Sequence, residues 1–247
     1  MSRDARAPHF VRSFERGLAV IRAFDAEHPA RTLSEVARAC DLTRAAARRL
    51  LLTLADLGYV HSDGRHFRLA PRVLELGYAY LSGLELPNLA QPHLVQLAEL
   101  AGESAALCLL DGDAVVPVAA ARPRRVMAAT IAVGARFPAY GTAVGRVLLA
   151  DLTQPGLCHA DVTRRQECAL LEGDPEAGVS TLAAPVRDRS GRVVAGVSLA
   201  MHSGRTSTVA ARRDLLPHLL AAVARIEVDL RITDPAPDAP PGTATRR

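Results

Sequence analysis

Residues Thr32 to Tyr59 read T-L-S-E-V-A-R-A-C-D-L-T-R-A-A-A-R-R-L-L-L-T-L-A-D-L-G-Y, and two helix starts are written into them. Thr32 and Glu35 have capping-box spacing, in which each side chain satisfies a backbone N–H that the first helical turn leaves without a partner. Val36, Ala37 and Cys40 then point inward from a short helix. Asp41 and Leu42 leave room only for a tight turn before Thr43, the expected N-cap of a longer helix running to about Leu57, which Gly58 is placed to end. At about 100° per residue this helix puts Ala46, Ala47, Leu50, Leu54 and Leu57 on one side. Arg44, Ala45, Arg48 and Arg49 fall on the other. A short helix, a turn and a helix that is apolar behind and arginine-rich in front predict a helix-turn-helix.

Working outward supplies the rest of that domain. Upstream, Ser13 is the expected cap of a helix whose Phe14, Leu18, Ile21 and Phe24 share one face, ended by His28 and Pro29. Downstream, the Asp63-Gly64 pair lies between Tyr59–Ser62 and Arg65–Leu69, which predicts a hairpin with both turn residues at positive φ. Three helices and a hairpin make a winged helix-turn-helix over residues 10–70. Ser34, Thr43, Arg44, Ala45, Arg48 and Arg49 are its candidate DNA contacts, joined by Arg65 and His66 on the wing. Each part has a plainer reading, since an arginine face is usually just solvated and winged helices also bind proteins. The order of the parts, with small Ala45 between arginines, favours double-stranded DNA.

Charge agrees. The 247 residues carry a formal charge of +4, and every basic residue is an arginine. Residues 1–70 hold 12 Arg against 8 Asp and Glu, and residues 71–247 hold 18 of each, so the whole excess belongs to the first domain and suits an anionic partner. There is no long apolar run and no secretory signal, which predicts a cytoplasmic protein without a membrane partner. Cys40, Cys108, Cys158 and Cys168 lack metal-ligand spacing and read as small core residues. No metal or cofactor is expected.

Pro71 suits the first turn of a connecting helix over 71–83, with Leu74, Gly77, Tyr78 and Leu81 on one face. A helix from Leu84 to Ala101 follows, with Pro92 tolerated near its first turn and Gly102 closing it. The period then shortens: Ser104–Leu110, Ala114–Ala120 and Val126–Val133 read as strands. A helix over Thr142–Asp151 and strands at Val179–Arg187 and Val193–Met201 come next, then a last helix over Thr208–Leu230. Residues 84–232 thus form an α+β domain with a mainly antiparallel sheet, and 233–247, rich in Pro, read as a disordered tail.

These residues resemble the IclR family over nearly the whole chain. The resemblance rests on F-V-R-S-F-E-R-G-L-A-V-I-R-A-F (Phe10 to Phe24), on the stretch from Leu33 to Tyr59, on G-T-A-V-G-R-V-L-L-A (Gly141 to Ala150) and on A-A-P-V-R-D-R-S-G-R-V-V-A-G-V-S (Ala183 to Ser198). The N-terminal segment is most similar to the PcaR, PcaU and PobR branch, which governs aromatic-acid breakdown. The resemblance implies a transcription regulator with a GAF-like effector domain, a linker helix that pairs the DNA-binding domains, and a homodimer or dimer of dimers. Where many relatives carry D-x-E-x-E-x-G-L, this chain has Glu172-Gly173-Asp174-Pro175-Glu176-Ala177-Gly178-Val179, so its acidic groups are displaced.

The effector site is expected at Gly141–Gly145, where a helix begins and its unpaired N–H groups favour an anion. On spacing alone, Thr142 capping its own helix is the stronger reading; the resemblance reverses the order, since it implies that the amides of Ala143 and Val144 hold an effector carboxylate. Ser198 and Thr181 are candidate hydroxyl donors, against ordinary strand polarity. Met127 is a candidate apolar contact, against plain core. Arg136 and Arg124 read equally as partners of an acid and as solvated residues. An enzyme has one foothold, Gly196-Val197-Ser198-Leu199-Ala200, close to a nucleophile elbow. Its final glycine is missing and the apolar run continues through Met201 as a strand, so catalysis is rejected.

Overall fold

The computed structural model describes residues 9–81, 83–124, 129–152, 167–174 and 178–233. The chain divides at Gly83/Leu84 into two compact units.

In the N-terminal unit, α1 (Arg12–Arg22) precedes β1 (Arg31–Thr32), α2 (Leu33–Ala39), α3 (Arg44–Asp56), β2 (Val60–Ser62), β3 (His66–Leu69) and α4 (Leu74–Leu81). The two predicted caps form: Thr32 and Glu35 close a capping box, and Thr43 Oγ1 accepts from the Ala46 amide at 3.2 Å. Val20, Phe24, Val36, Leu51, Leu54, Val60 and Phe67 are the core. Four expectations need correction. The α1 N-cap is Val11 rather than Ser13, and the helix stops at Arg22, before His28. Its apolar stripe splits, with Val20 and Phe24 buried while Phe14 stays 69% exposed and Leu18 41%. On α3 it is Leu51, not Leu57, that reaches the core, because Leu57 is the C-cap residue and turns out to solvent.

The hairpin also departs from the primed turn. Only Gly64 has positive φ, +91°, while the Asp63 carboxylate accepts from the amides of Arg65 and His66. An Asx turn therefore replaces a two-residue loop. Behind it β3 pairs with β2 on one side and with β1 on the other, giving a three-stranded sheet. Arg72 ties the chain leaving the wing to α3, donating to the Leu57 carbonyl at 2.9 Å and lying over the Tyr59 ring.

The C-terminal unit runs α5 (Glu85–Ala101), β4 (Ser104–Asp111), β5 (Ala114–Ala121), β6 (Phe137–Pro138), α6 (Ala143–Leu152), β7 (Ala169–Glu172), β8 (Val179–Arg187), β9 (Val193–His202) and α7 (Leu216–Thr233). Among the described residues its six strands are antiparallel in the order β6-β5-β4-β9-β8-β7. Helices α5 and α7 pack on the sheet, as does α6. Along β9, Gly196, Ser198 and Ala200 look toward α6 and the cavity described below, while Val197, Leu199 and Met201 alternate to the other side and are fully buried. With both faces covered, the strands read as continuous apolar runs rather than as alternating ones.

Here too the sequence misleads in places. Pro92 sits inside α5, well past its first turn. Residues 129–133 are not a strand, and Val126 lies outside the described residues. Short β6 and β7 were not expected. The last helix enters through a π-helical segment, Ala211–Leu215, which ends two residues before Pro217, whose missing N–H forbids the regular helical bond at that point. Of the expected tail 233–247, Thr233 is instead the last residue of α7 and the rest lies outside the described residues; among the described residues no helix is long and apolar enough to cross a membrane.

Candidate functional site

Two glycines set α6 close against its surroundings. A Cβ on Gly145 would lie 1.8 Å from the Ala139 carbonyl oxygen, and one on Gly196 of β9 would lie 2.9 Å from Val144 Cγ1. The first turn of α6 is thereby clamped between the 3-10 turn Ala139–Gly141 and the sheet. Beside it lies a cavity of about 430 Å³, in the range of small-molecule sites.

Each wall has a traceable origin. From α6 come Thr142 and Val144, and from the strands β8 and β9 come Val179, Thr181, Ser198 and Ala200. Cys108, Val115 and Pro117 come from β4 and β5, where the pairing shifts register between Leu107 and Cys108. Pro117 has no N–H to give the ladder, and the irregularity beside it is where a strand proline is accommodated. Ala129, Thr130, Ile131 and Phe137 close the remaining side. Among the described residues the lining is mostly apolar, with a few hydroxyls, a thiol and one carboxylate.

That carboxylate, Asp174, is the residue sequence reading missed. It is 2% exposed, and its Oδ2 accepts from the Ala143 amide at 2.6 Å. The main chain around it is held as well: the amides of Gly173 and Asp174 donate to the Val179 carbonyl, and Thr181 Oγ1 donates to the Asp174 carbonyl at 2.8 Å. Burial pushes the Asp174 carboxyl above the ordinary carboxylate range, against the opposing pull of the Ala143 amide, Thr181 and Arg146. The displaced acidic run around Glu172–Val179 was a signal, but the contact crosses 31 positions, and no local rule reaches that far.

Of the sequence candidates, Thr142, Val144, Thr181 and Ser198 line the cavity together, and Ala143 is buried directly behind. Both readings of Thr142 hold, for it caps α6 through the Gly145 amide at 3.0 Å and also lines the cavity. Ala143 offers its N–H to Asp174 rather than to open space. Met127 lies outside the described residues. Neither Arg136, paired with Asp111, nor Arg124, 95% exposed near Glu99, lines the cavity. Ser198 sits mid-strand in β9, paired with Ala106 and Ala183, so no strand-to-helix turn exists to make a nucleophile. The Cys108 thiol beside it is pushed up to about 12 by burial and stays neutral at physiological pH. Among the described residues, no cluster of His, Cys, Asp and Glu suits a metal ion.

In the N-terminal unit Thr43, Arg44, Ala45, Arg48 and Arg49 all stand exposed on α3 or its cap, with Arg65 exposed on the wing, and Ser34 and His66 half-buried. The wing adds a pair absent from the candidates, His61 and Arg68, exposed and directly opposite across β2 and β3.

Comparison with known proteins gives this geometry its context. Residues 13–64 match the IclR helix-turn-helix domain, and residues 78–160 and 157–228 match the bacterial transcriptional regulator IclR C-terminal domain. The chain is 35% identical to the Pca regulon regulatory protein of Pseudomonas putida over 87% of its own length and 82% of that protein's. It is 30% identical to the Pca operon regulatory protein of Acinetobacter baylyi, covering 92% and 90%. A protein of known structure from Rhodococcus sp. RHA1 superposes with TM-score 0.76 at 43% identity, over 91% of this chain and all of that one. An IclR homologue from Microbacterium hydrocarbonoxydans, solved with 4-hydroxybenzoate, shares the fold with TM-score 0.73 at 22% identity, covering 89% and 99%. The helix-turn-helix, the antiparallel domain over α6 and these matches along nearly the whole chain converge: it belongs to the IclR family of bacterial transcriptional regulators, and is not an enzyme.

Proposed function

We propose that this regulator reads a duplex operator through α3 and the wing, and that its C-terminal cavity takes a small carboxylic acid, an aromatic acid or a related catabolic intermediate. The observation that carries the effector reading is the cavity itself: about 430 Å³, mostly apolar, with the hydroxyls of Thr142, Thr181 and Ser198 beside the first turn of α6. An aromatic ring fits the apolar walls, and a carboxylate is favoured near the helix N-terminus. Relatives named for the Pca regulon and for p-hydroxybenzoate hydroxylase activation, and a homologue that binds 4-hydroxybenzoate, support that chemical class. On the DNA side, Arg44, Arg48 and Arg49 reach base edges and Arg65 a phosphate.

A homodimer completes the reading, since one recognition helix makes too small an interface for selective binding. Within the N-terminal unit, α1 and α4 carry the apolar surface a second copy would cover: Phe14, Leu74 and Tyr78 are each about 70% exposed.

Calorimetry with a panel of small acids tests the effector reading. A bound acid should bind more weakly to Ser198→Ala by about 0.5 to 3 kcal/mol, and unchanged affinity would place the ligand elsewhere. For DNA, Arg48→Ala should cost roughly 1 to 3 kcal/mol of operator binding without altering the melting temperature. Arg65→Ala should lower the salt slope by about one unit on specific and non-specific DNA alike. A salt-independent interaction would instead identify a protein-binding winged helix.

A further inference from the structure

We propose that Asp174 is the resident anion of the α6 seat, and that an acidic effector binds beside a protonated Asp174, taking up one proton from solvent as the complex forms. The inference rests on the reading that the cavity takes a carboxylic acid, and it deepens that reading by naming the residue that sets the ligand's charge requirement.

The seat expected for the ligand is already filled. The Ala143 N–H, which would otherwise greet an incoming carboxylate, points at Asp174 Oδ2 from 2.6 Å. Asp174 cannot readily retreat, because the bonds from Gly173 and Asp174 amides to Val179, and from Thr181 to the Asp174 carbonyl, pin its backbone on both sides. The charged and titratable groups acting on it, among the described residues, are few. From α6 comes Arg146, and from β4 the Cys108 thiol, which burial keeps neutral. β8 and β9 line the same cavity with the hydroxyls of Thr181 and Ser198, and among the described lining residues there is no Arg, Lys or His.

Two carboxylates in so small and apolar a space cannot both stay ionised; one must hold a proton. Asp174 is placed to hold it, since burial already favours its neutral form. Oδ2 keeps the Ala143 amide, and the new O–H at Oδ1 donates to the ligand carboxylate. No bond other than this O–H forms, and the proton comes from bulk water.

The test is calorimetry on the full chain with benzoate and 4-hydroxybenzoate as probes, in buffers of different ionisation heat. Near neutral pH the parent should take up close to one proton per acid bound, and its affinity should fall up to tenfold per pH unit on the alkaline side. Asp174→Asn preserves the acceptor for Ala143 and supplies an N–H donor without a proton. It should bind the same acids at least about tenfold tighter at about pH 8, with no proton uptake. If parent and variant bind a probe with equal affinity and neither takes up a proton, the role of Asp174 is overturned while the acid-effector reading stands. If neither probe binds either protein, the acid-effector reading falls and takes this inference with it. Should the variant fail to fold, the proton count on the parent decides alone.

Discussion

Helices α2 and α3 of the N-terminal unit and helix α6 of the C-terminal unit close their N-termini differently. In the N-terminal unit α2 and α3 are capped by the residue just before them, Thr32 and Thr43, in exposed turns where each bond spans three positions. In the C-terminal unit α6 is capped locally by Thr142 and again by a carboxylate from beyond β7, and the whole arrangement is buried. A local cap specifies where a helix begins. A distant cap fixes where the helix sits against the sheet, and in this fold that is the wall of a cavity.

The largest test of that contrast is to overfill the clamp. Gly145→Ala places a methyl 1.8 Å from the Ala139 carbonyl, so α6 must lift. We expect a loss of about 3 kcal/mol or more, with hydrogen exchange accelerated across residues 84–233 and protection of α2 and α3 retained. Equal loss in both units would end the distinction. Removing a local cap is a smaller change: Thr32→Ala should cost about 1 kcal/mol, read as faster exchange confined to the first turn of α2.

Acid should separate the units by sign. Hydrogen bonds from the Thr32 amide and hydroxyl hold the Glu35 carboxyl below its ordinary range. The stability it lends is present above its unfolded value and lost as pH falls through its folded one. Asp174 runs the other way, because burial raises its folded value. Folding shifts it toward its neutral form relative to the unfolded chain, so its contribution is intact at low pH and declines as pH rises through the folded value. Protection of the Thr32 amide, which donates to the Glu35 carboxylate, should therefore fall on acidification while that of residues around Ala143 rises, and Asp174→Asn should raise the melting temperature at neutral pH. A parallel response would mean that Asp174 is not desolvated.

The smallest effect belongs to the β8–β9 turn. Asp188 accepts from Ser190 and Arg192 and is held at about 2. Asp188→Asn should lower stability slightly near neutrality, removing the contribution that the parent loses as pH falls through about 2, and should quicken exchange of the Ser190 and Arg192 amides above about pH 4, where the parent carboxylate is ionised.

The same division explains what could be read without a structure. The caps at Thr32 and Thr43, the arginine face of α3 and the central strands β4, β5, β8 and β9 all follow from neighbours within a few residues. The α1 stripe misled because periodicity reports an apolar face and not what covers it: half of that face is core and half stands open. Pro92 and the π-helical segment were illegible because tertiary packing overrides local propensity. In the site, hydroxyls at Thr142, Thr181 and Ser198 could be proposed from element ends and strand positions, but Asp174 could not, since nothing in the sequence states which loop will end at the start of α6.

Gly196 carries one more consequence. Because a Cβ there would strike Val144 Cγ1 at 2.9 Å, the side of the cavity where β9 meets α6 has no room for a larger residue. The lining side chains Val115, Ile131 and Phe137 are under no such constraint from that clamp. On the proposed reading, ligand preference would be retuned by resizing those side chains one at a time, while the floor beneath α6 would act as a fixed datum from which an acceptable ligand is measured.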